Sequence, residues 1–216
     1  MKWKPLHVLG MLLLCRCAAP LGLLGRLGAA DPVLVDKGKA KASIVLPAEP
    51  HADEKLAAQE IVQHIEKMSG VRLAVSNRQE KGLLPIRIGL ALAPNAGQMI
   101  RMKGRDPASF LLQVESDDVT VAGLSPEGTL FAAYEMLEQL GCRWFMPGEI
   151  GRVVPKRDTV RLKDQQTIQT PSFPHRHLQA VPRVPWYRRM RLGGRSFPGC
   201  HGFRIRADVE KEPELF

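Results

Sequence analysis

A chain of 216 residues has room for one good hydrophobic core with flanking pieces, and two complete domains would be crowded. Its 44% apolar and 25% charged content is that of an ordinary globular protein, which excludes a disordered or low-complexity chain. The formal net charge of +9 is unevenly placed: eight arginines and no acid lie between Asp164 and Asp208.

At the start, Lys2 and Lys4 supply a basic region and Val8 to Leu14 an apolar run. Leu27-Gly28-Ala29-Ala30 then offers small residues before Asp31-Pro32. The pattern predicts an export signal over 1–30 with cleavage after Ala30, and hence a secreted or periplasmic protein. Arg16, Pro20 and Arg26 interrupt the apolar region, so no stretch approaches the roughly 20 residues of a membrane span. A lipidated Cys15 is the weaker alternative, because Leu14 is a poor residue to precede it. After cleavage only Cys142 and Cys200 remain, too few for a disulfide framework. One bridge or two thiols both fit, and burial is the usual fate of such a cysteine.

Beyond the leader, Val33 to Val35 and Ala42 to Leu46 read as short strands around the turn-prone Lys37-Gly38-Lys39, a candidate hairpin. Ala58, Ile61, Ile65 and Met68 form an apolar stripe, with Asp53 and Glu54 in the first turn and Gly70 at the end. They predict a helix over 52–69, with His64 on its polar, solvated side. Leu73 with Val75, and Leu84 to Leu90, predict two more strands. The stretch 91–104 is ambiguous. Phe110 to Glu115 and Val119 to Ala122 flank Ser116-Asp117-Asp118 as a β-hairpin.

That hairpin runs into the most distinctive segment, 123–155. Ser125 suits an N-cap, Pro126 the first helical position and Glu127 the positive end of the helix dipole. Leu130, Ala133, Leu137 and Leu140 line one face, and Gly141 can take the left-handed turn that ends the helix. Trp144 and Phe145 follow beside Pro147-Gly148. Leaving such rings in water costs about 2 kcal/mol each, so both are expected to be buried anchors. Residues 151–162 supply a last strand pair. The fold class that follows is α/β (α+β): a two-layer sandwich whose mixed or mostly antiparallel sheet is covered by helices.

After about residue 165 the chain becomes basic and proline-rich, which predicts an irregular tail over 166–216. Arg176, Arg183, Arg188, Arg189, Arg191, Arg195, Arg204 and Arg206 alternate with Phe173, Trp186, Tyr187, Phe197 and Phe203. Three uses fit: a surface for acidic sugars, a polyanion surface, or arginines whose carboxylate partners lie on another segment. No nucleic-acid motif accompanies them, so nucleic acid is the least favoured partner.

Gly128, Leu130, Ala132, Tyr134, Leu137, Glu138 and the run Gly141 to Glu149 match a "G-x-L-x-A-x-Y-x-x-L-E-x-x-G" helix followed by a "G-C-R-W-F-x-P-G-E" turn. The segment thereby resembles the N-terminal domain of α-glucuronidases and of large, related bacterial proteins that look like glycoside hydrolases. It is also similar to the second domain of β-hexosaminidases. The resemblance implies an accessory α/β domain over 31–165, packed in the parent family against a downstream (β/α)8 barrel that carries the catalytic acids. A barrel takes about 250 residues, so 166–216 holds at most the start of a truncated one. Pro171, Phe173 and Arg176 resemble the "P-x-F-x-x-R" lead into the first barrel strand, which implies a sugar-binding role for Arg176. Cys200-His201-Gly202-Phe203 resembles the next barrel segment and implies one for His201.

Other constellations carry less. His175, His177, Cys200 and His201 are metal-capable but have no finger spacing, so no metal or cofactor is expected. Glycoside hydrolysis needs two carboxyl groups flanking the bond, and no motif here places such a pair. Glu127 and Glu149 read as a helix-start charge and a turn residue, leaving no catalytic residue assigned. The sequence thus predicts a non-catalytic accessory domain of a secreted glycoside hydrolase, meeting carbohydrate through a downstream domain. A stand-alone carbohydrate- or polyanion-binding module is the alternative.

Overall fold

The computed structural model describes residues 30–178 and 185–194. The predicted export signal, Cys200 and His201 therefore lie outside the described residues. Strands β1 (Val33–Asp36) and β2 (Lys39–Ala40) form a hairpin. Its turn residues Lys37 and Gly38 have φ of 44° and 78°, the left-handed pair that a two-residue hairpin loop needs. The second predicted strand, β3 (Ala42–Val45), leaves this hairpin for a larger sheet. All four of its residues are buried, as in a strand covered on both faces.

Helix α1 (Ala52–Ser69) starts at His51, whose Nδ1 accepts from the Asp53 N–H at 3.2 Å. The Glu54 carboxylate accepts from the His51 N–H at 2.8 Å, completing a capping box. Gly70, at φ 77°, closes the helix. Strands β4 (Val75–Ser76) and β5 (Leu84–Ile88) follow. The ambiguous stretch contains a 3-10 turn and helix α2 (Ala96–Lys103). Next come β6 (Phe110–Val114), β7 (Val119–Gly123) and α3 (Pro126–Gln139). The rest comprises β8 (Arg143–Trp144), β9 (Arg152–Val153), β10 (Val160–Arg161), β11 (Gln165–Gln169), β12 (His175–Arg176), α4 (Pro185–Arg189) and β13 (Gly193–Gly194).

The main sheet is mixed, in the order β11-β6-β7-β5-β3-β4. β4, β3, β5 and β7 pair in parallel, while β7, β6 and β11 pair antiparallel. The mixed α+β class is the expected one. Because side chains alternate along a strand, Leu112, Val114, Val119 and Val121 face α1 and α3, where they join Ile61, Ile65, Phe131 and Leu137. On the other face Leu111, Ala122 and Ile168 meet Ala96 and Ile100, so α2 adds a short further layer over the antiparallel end. A small sheet of β10, β1 and β2 lies beside the main one.

The joint between β7 and α3 is unusually close. A Cβ on Gly128 would lie 2.8 Å from the Ser109 carbonyl oxygen, and one on Gly123 would strike the Gly128 and Thr129 backbone. The Gly128 N–H donates to Ser125 Oγ at 3.1 Å, and that hydroxyl donates to the Pro107 carbonyl at 2.7 Å. The predicted N-cap is therefore tied to both helix and loop.

Candidate functional site

Residues 170–194, with 179–184 outside the described set, form an arm across α1 and α3. Its charges find partners within the chain. Arg189 meets Glu60 of α1 through two prongs: Nη2 lies 2.9 Å from Oε1 and 3.1 Å from Oε2, and Nε lies 3.3 Å from Oε2. Their side chains are only 13% and 7% exposed, so the pair is desolvated and depends on this two-pronged geometry. The same guanidinium sits 5.8 Å from the Trp144 ring centroid. Trp186 Nε1–H donates to the Trp144 carbonyl at 2.9 Å, so α4 and β8 are pinned together.

Around this pair lies a compact aromatic and polar cluster. His64 meets Trp144 edge-on at 5.5 Å, and Tyr134 meets it at 5.8 Å. His64 is fully buried, which corrects the expectation of a solvated side chain. It sits one turn after Glu60, so it faces the same seam between helices; its Nδ1 lies 2.8 Å from the Glu60 carbonyl and 3.4 Å from the carboxylate. Burial holds its imidazole below the usual range, Glu60 opposes that shift, and Arg189 and Arg152 add to it. Burial likewise raises the Tyr134 hydroxyl. His64 Nε2 is buried without a hydrogen-bond partner among the described residues.

A second clasp lies along α3. Arg191 Nη2 donates to Glu135 Oε2 and Glu138 Oε2, each at 2.8 Å, and its guanidinium lies 5.7 Å from the Phe110 ring. Gln169 Nε2 donates to the same Glu135 oxygen at 2.8 Å, joining β11 to the clasp. The left-handed φ of 53° at Arg191 ends α4 and turns the chain toward β13.

The arm also walls a cleft of about 530 Å³ lined by Arg105, Asp106, Glu127, Arg176, His177 and Gly193. Arg176 is held by Nε–H donating to the Arg191 carbonyl at 3.1 Å and Nη1–H to the Phe173 carbonyl at 2.9 Å. Its Nη2 is buried without a partner among the described residues. His177 Nδ1 lies 2.6 Å from the Tyr187 hydroxyl. Glu127 enters the cleft from the first turn of α3, where burial raises its carboxyl above the usual range and Arg176 opposes the shift. The arrangement suits a polar ligand with hydroxyl or carboxylate groups, since donors and acceptors line one opening.

Of the two residues expected to bind sugar, Arg176 thus lies in the cleft wall and His201 outside the described residues. Trp144 is buried at 4% exposure, but Phe145 is 71% exposed, which corrects its reading as a second anchor. Neighbours in a strand point to opposite faces, so only one of the two rings can turn inward. Glu149 is an exposed turn residue paired with Arg152 and Lys67. Cys142 is a buried thiol pushed up to about 11 by that burial, and so is not a nucleophile at neutral pH. Among the described residues no cluster of metal-binding side chains forms, and no helix is long and apolar enough to cross a membrane. Glu60 and Glu135 were not singled out from the sequence, and Glu138 only as a position of the helix motif, not as a partner for the arm. Their only signal was the lack of acids in the arginine-rich arm.

Neither a protein-family model nor a curated protein matches the chain. Among solved structures, the family GH115 4-O-methyl-α-glucuronidase BtGH115A, described as specific for decorated arabinogalactans, superposes over 68% of this chain with a TM-score of 0.51 at 18% identity. The two share a fold. The match covers 19% of that enzyme's chain, so the likeness is to one part of a much longer protein. A Flavobacterium johnsoniae chitobiase, FjGH20, matches 70% of this chain and 22% of its own, with a TM-score of 0.39 at 15% identity.

Proposed function

We propose that this chain is the accessory α/β domain of an exported glycoside hydrolase, which serves as a non-catalytic platform for the polypeptide following it. The observation that carries the reading is the double clasp: Arg189 on Glu60, and Arg191 on Glu135 and Glu138. Two arginines within three residues, one in a desolvated pair and the other bridging two partly buried carboxylates, fix the course of the arm over α1 and α3. The fold shared with part of a glucuronidase, together with the helix-and-turn motif of 123–155, supports the carbohydrate context. In this reading Arg176 and the cleft beside it face carbohydrate, and His201, which lies outside the described residues, is a second sugar-binding residue.

The test is turnover of aryl glycosides, including an aryl glucuronide, by this chain alone, with glycan-array binding in parallel. The expected result is no turnover. Robust hydrolysis would overturn the accessory role. One observation favours a second reading, in which the cleft itself is catalytic: Glu127 is desolvated with a raised pKa, as a general acid should be, and Asp106 shares the cleft. Hydrolysis abolished by Glu127→Gln would establish that reading in place of the first.

A further inference from the structure

Seven buried side-chain polar atoms lack a hydrogen-bond partner among the described residues. Three of them, Thr170 Oγ1, Arg176 Nη2 and Arg191 Nε, belong to residues that line one small cavity. The path of the arm explains the clustering. Arg176 Nε–H donates to the Arg191 carbonyl at 3.1 Å, so two guanidinium groups fifteen positions apart in sequence are held side by side. Thr170 directly follows the last residue of β11 and brings its hydroxyl into the same lining. Gln169, the remaining polar residue there, already donates through Nε2 to Glu135. The guanidinium nitrogens can only donate, and the hydroxyl can donate as well. The unmet need of the cavity is therefore for an acceptor, and two of its donors are cationic.

The rest of the lining is apolar: Ala108, Phe110, Phe131 and Pro171. The cavity measures about 120 Å³, roughly the share of four liquid waters at about 30 Å³ each. Each buried water needs two to four polar partners, and walls of this kind supply too few for a cluster. An occupant with one acceptor end and a short apolar body suits both halves of the lining. Charge narrows the choice. Arg191 Nη2 already bridges Glu135 and Glu138, and Glu127 interacts with Arg176 from the cleft side. Three carboxylates this near oppose a dianion such as sulfate, whereas a single charge can still be held by two guanidinium groups. A planar carboxylate also fits guanidinium donors in geometry.

We propose that the cavity between Arg176 and Arg191 is a binding site for a short-chain monocarboxylate anion. Its carboxylate accepts from Arg176 Nη2 and Arg191 Nε, and its alkyl end lies against Phe110 and Phe131. Ala108 and Arg176 also line the larger cleft, so the two spaces are neighbours. The proposal does not rest on that cleft binding carbohydrate.

Titrating the full chain with sodium propionate, followed by the proton–nitrogen signal of Arg191 Nε–H, tests it. The signal is assigned by its loss in Arg191→Lys. A saturable shift is expected in the parent chain, and Arg176→Gln should weaken the apparent affinity about tenfold by removing one charged donor. Arg105 is an exposed residue of the larger cleft and does not line the cavity, so Arg105→Gln should leave the affinity unchanged. The absence of a saturable shift in the parent overturns the proposal in favour of water alone. An equal response to sodium chloride or sodium sulfate at matched ionic strength overturns it in favour of an unselective anion site. Equal weakening by Arg105→Gln overturns it by moving propionate to the larger cleft, and full affinity in Arg176→Gln overturns the assignment of the donors.

Discussion

The helix–sheet body and the arm laid across it are stabilised by opposite means. In the body, Ile61, Ile65, Phe131, Leu137 and the inward strand residues interlock with almost no polar atoms among them. In the arm, few apolar groups are buried, and position is fixed by Arg189, Arg191 and the Trp186 indole. A body of this kind tolerates imprecise charges because non-directional burial supplies most of its stability. An arm of the second kind is only as firm as two geometries, but those geometries set its direction. The difference teaches where to look for adjustable behaviour: in the arm, whose attachment can fail while the body stays folded.

Breaking the body should have the largest effect. Phe131→Ala removes a ring that is 1% exposed in the centre of α3 and should cost about 3 to 5 kcal/mol in urea unfolding, with arm and body lost together. Glu60→Gln should cost up to about 3 kcal/mol by leaving Arg189 desolvated without its counter-charge. Here the first change should be selective: trypsin cuts faster after Arg188 and Arg189 while circular dichroism of the body is unchanged. Replacing both partners, Glu60→Leu with Arg189→Met, should recover most of the loss, because an apolar pair of similar volume has no charge to desolvate.

Acid should weaken the seam between the two regions. The buried imidazole of His64 has a lowered pKa, so the unfolded chain takes up its proton first, near pH 6.5. The stability from keeping His64 neutral is therefore complete above that pH and is lost as pH falls toward the lowered folded value. The slope is at most about 1.4 kcal/mol per pH unit for one proton. Denaturation midpoints between pH 7.5 and 5 should fall less steeply in His64→Gln than in the parent. The smallest effect is expected at Arg72–Glu66, a 2.7 Å pair whose side chains are 69% and 43% exposed. Arg72→Ala should change stability by less than about 0.5 kcal/mol, sharpening the contrast with the desolvated pair at Arg189.

Much of the body was legible because its signals are local. Ser125-Pro126 marks the start of α3, Gly70 the end of α1, and the alternation around Ser116-Asp117-Asp118 the β6–β7 hairpin. The parallel half of the sheet was not, since pairing of β3 with β5 joins residues about forty apart and leaves no periodic mark. Arg176 was reached only through its motif neighbours. Glu60 and His64 were hidden for a different reason: polar residues on a mostly polar helix face look solvated until another segment covers them. Phe145 misled in the reverse direction, because large rings predict burial on average while strand alternation decides each one.

The β7–α3 joint has a consequence for inheritance of the cleft. Neither Gly123 nor Gly128 lines it, yet any side chain at either would lift the start of α3 from the strand and carry Glu127 with it. Saturation mutagenesis should therefore find the cleft's ligand preference most sensitive at two positions that offer no functional group. Anyone grafting this opening onto another scaffold would have to copy a missing atom before copying any side chain.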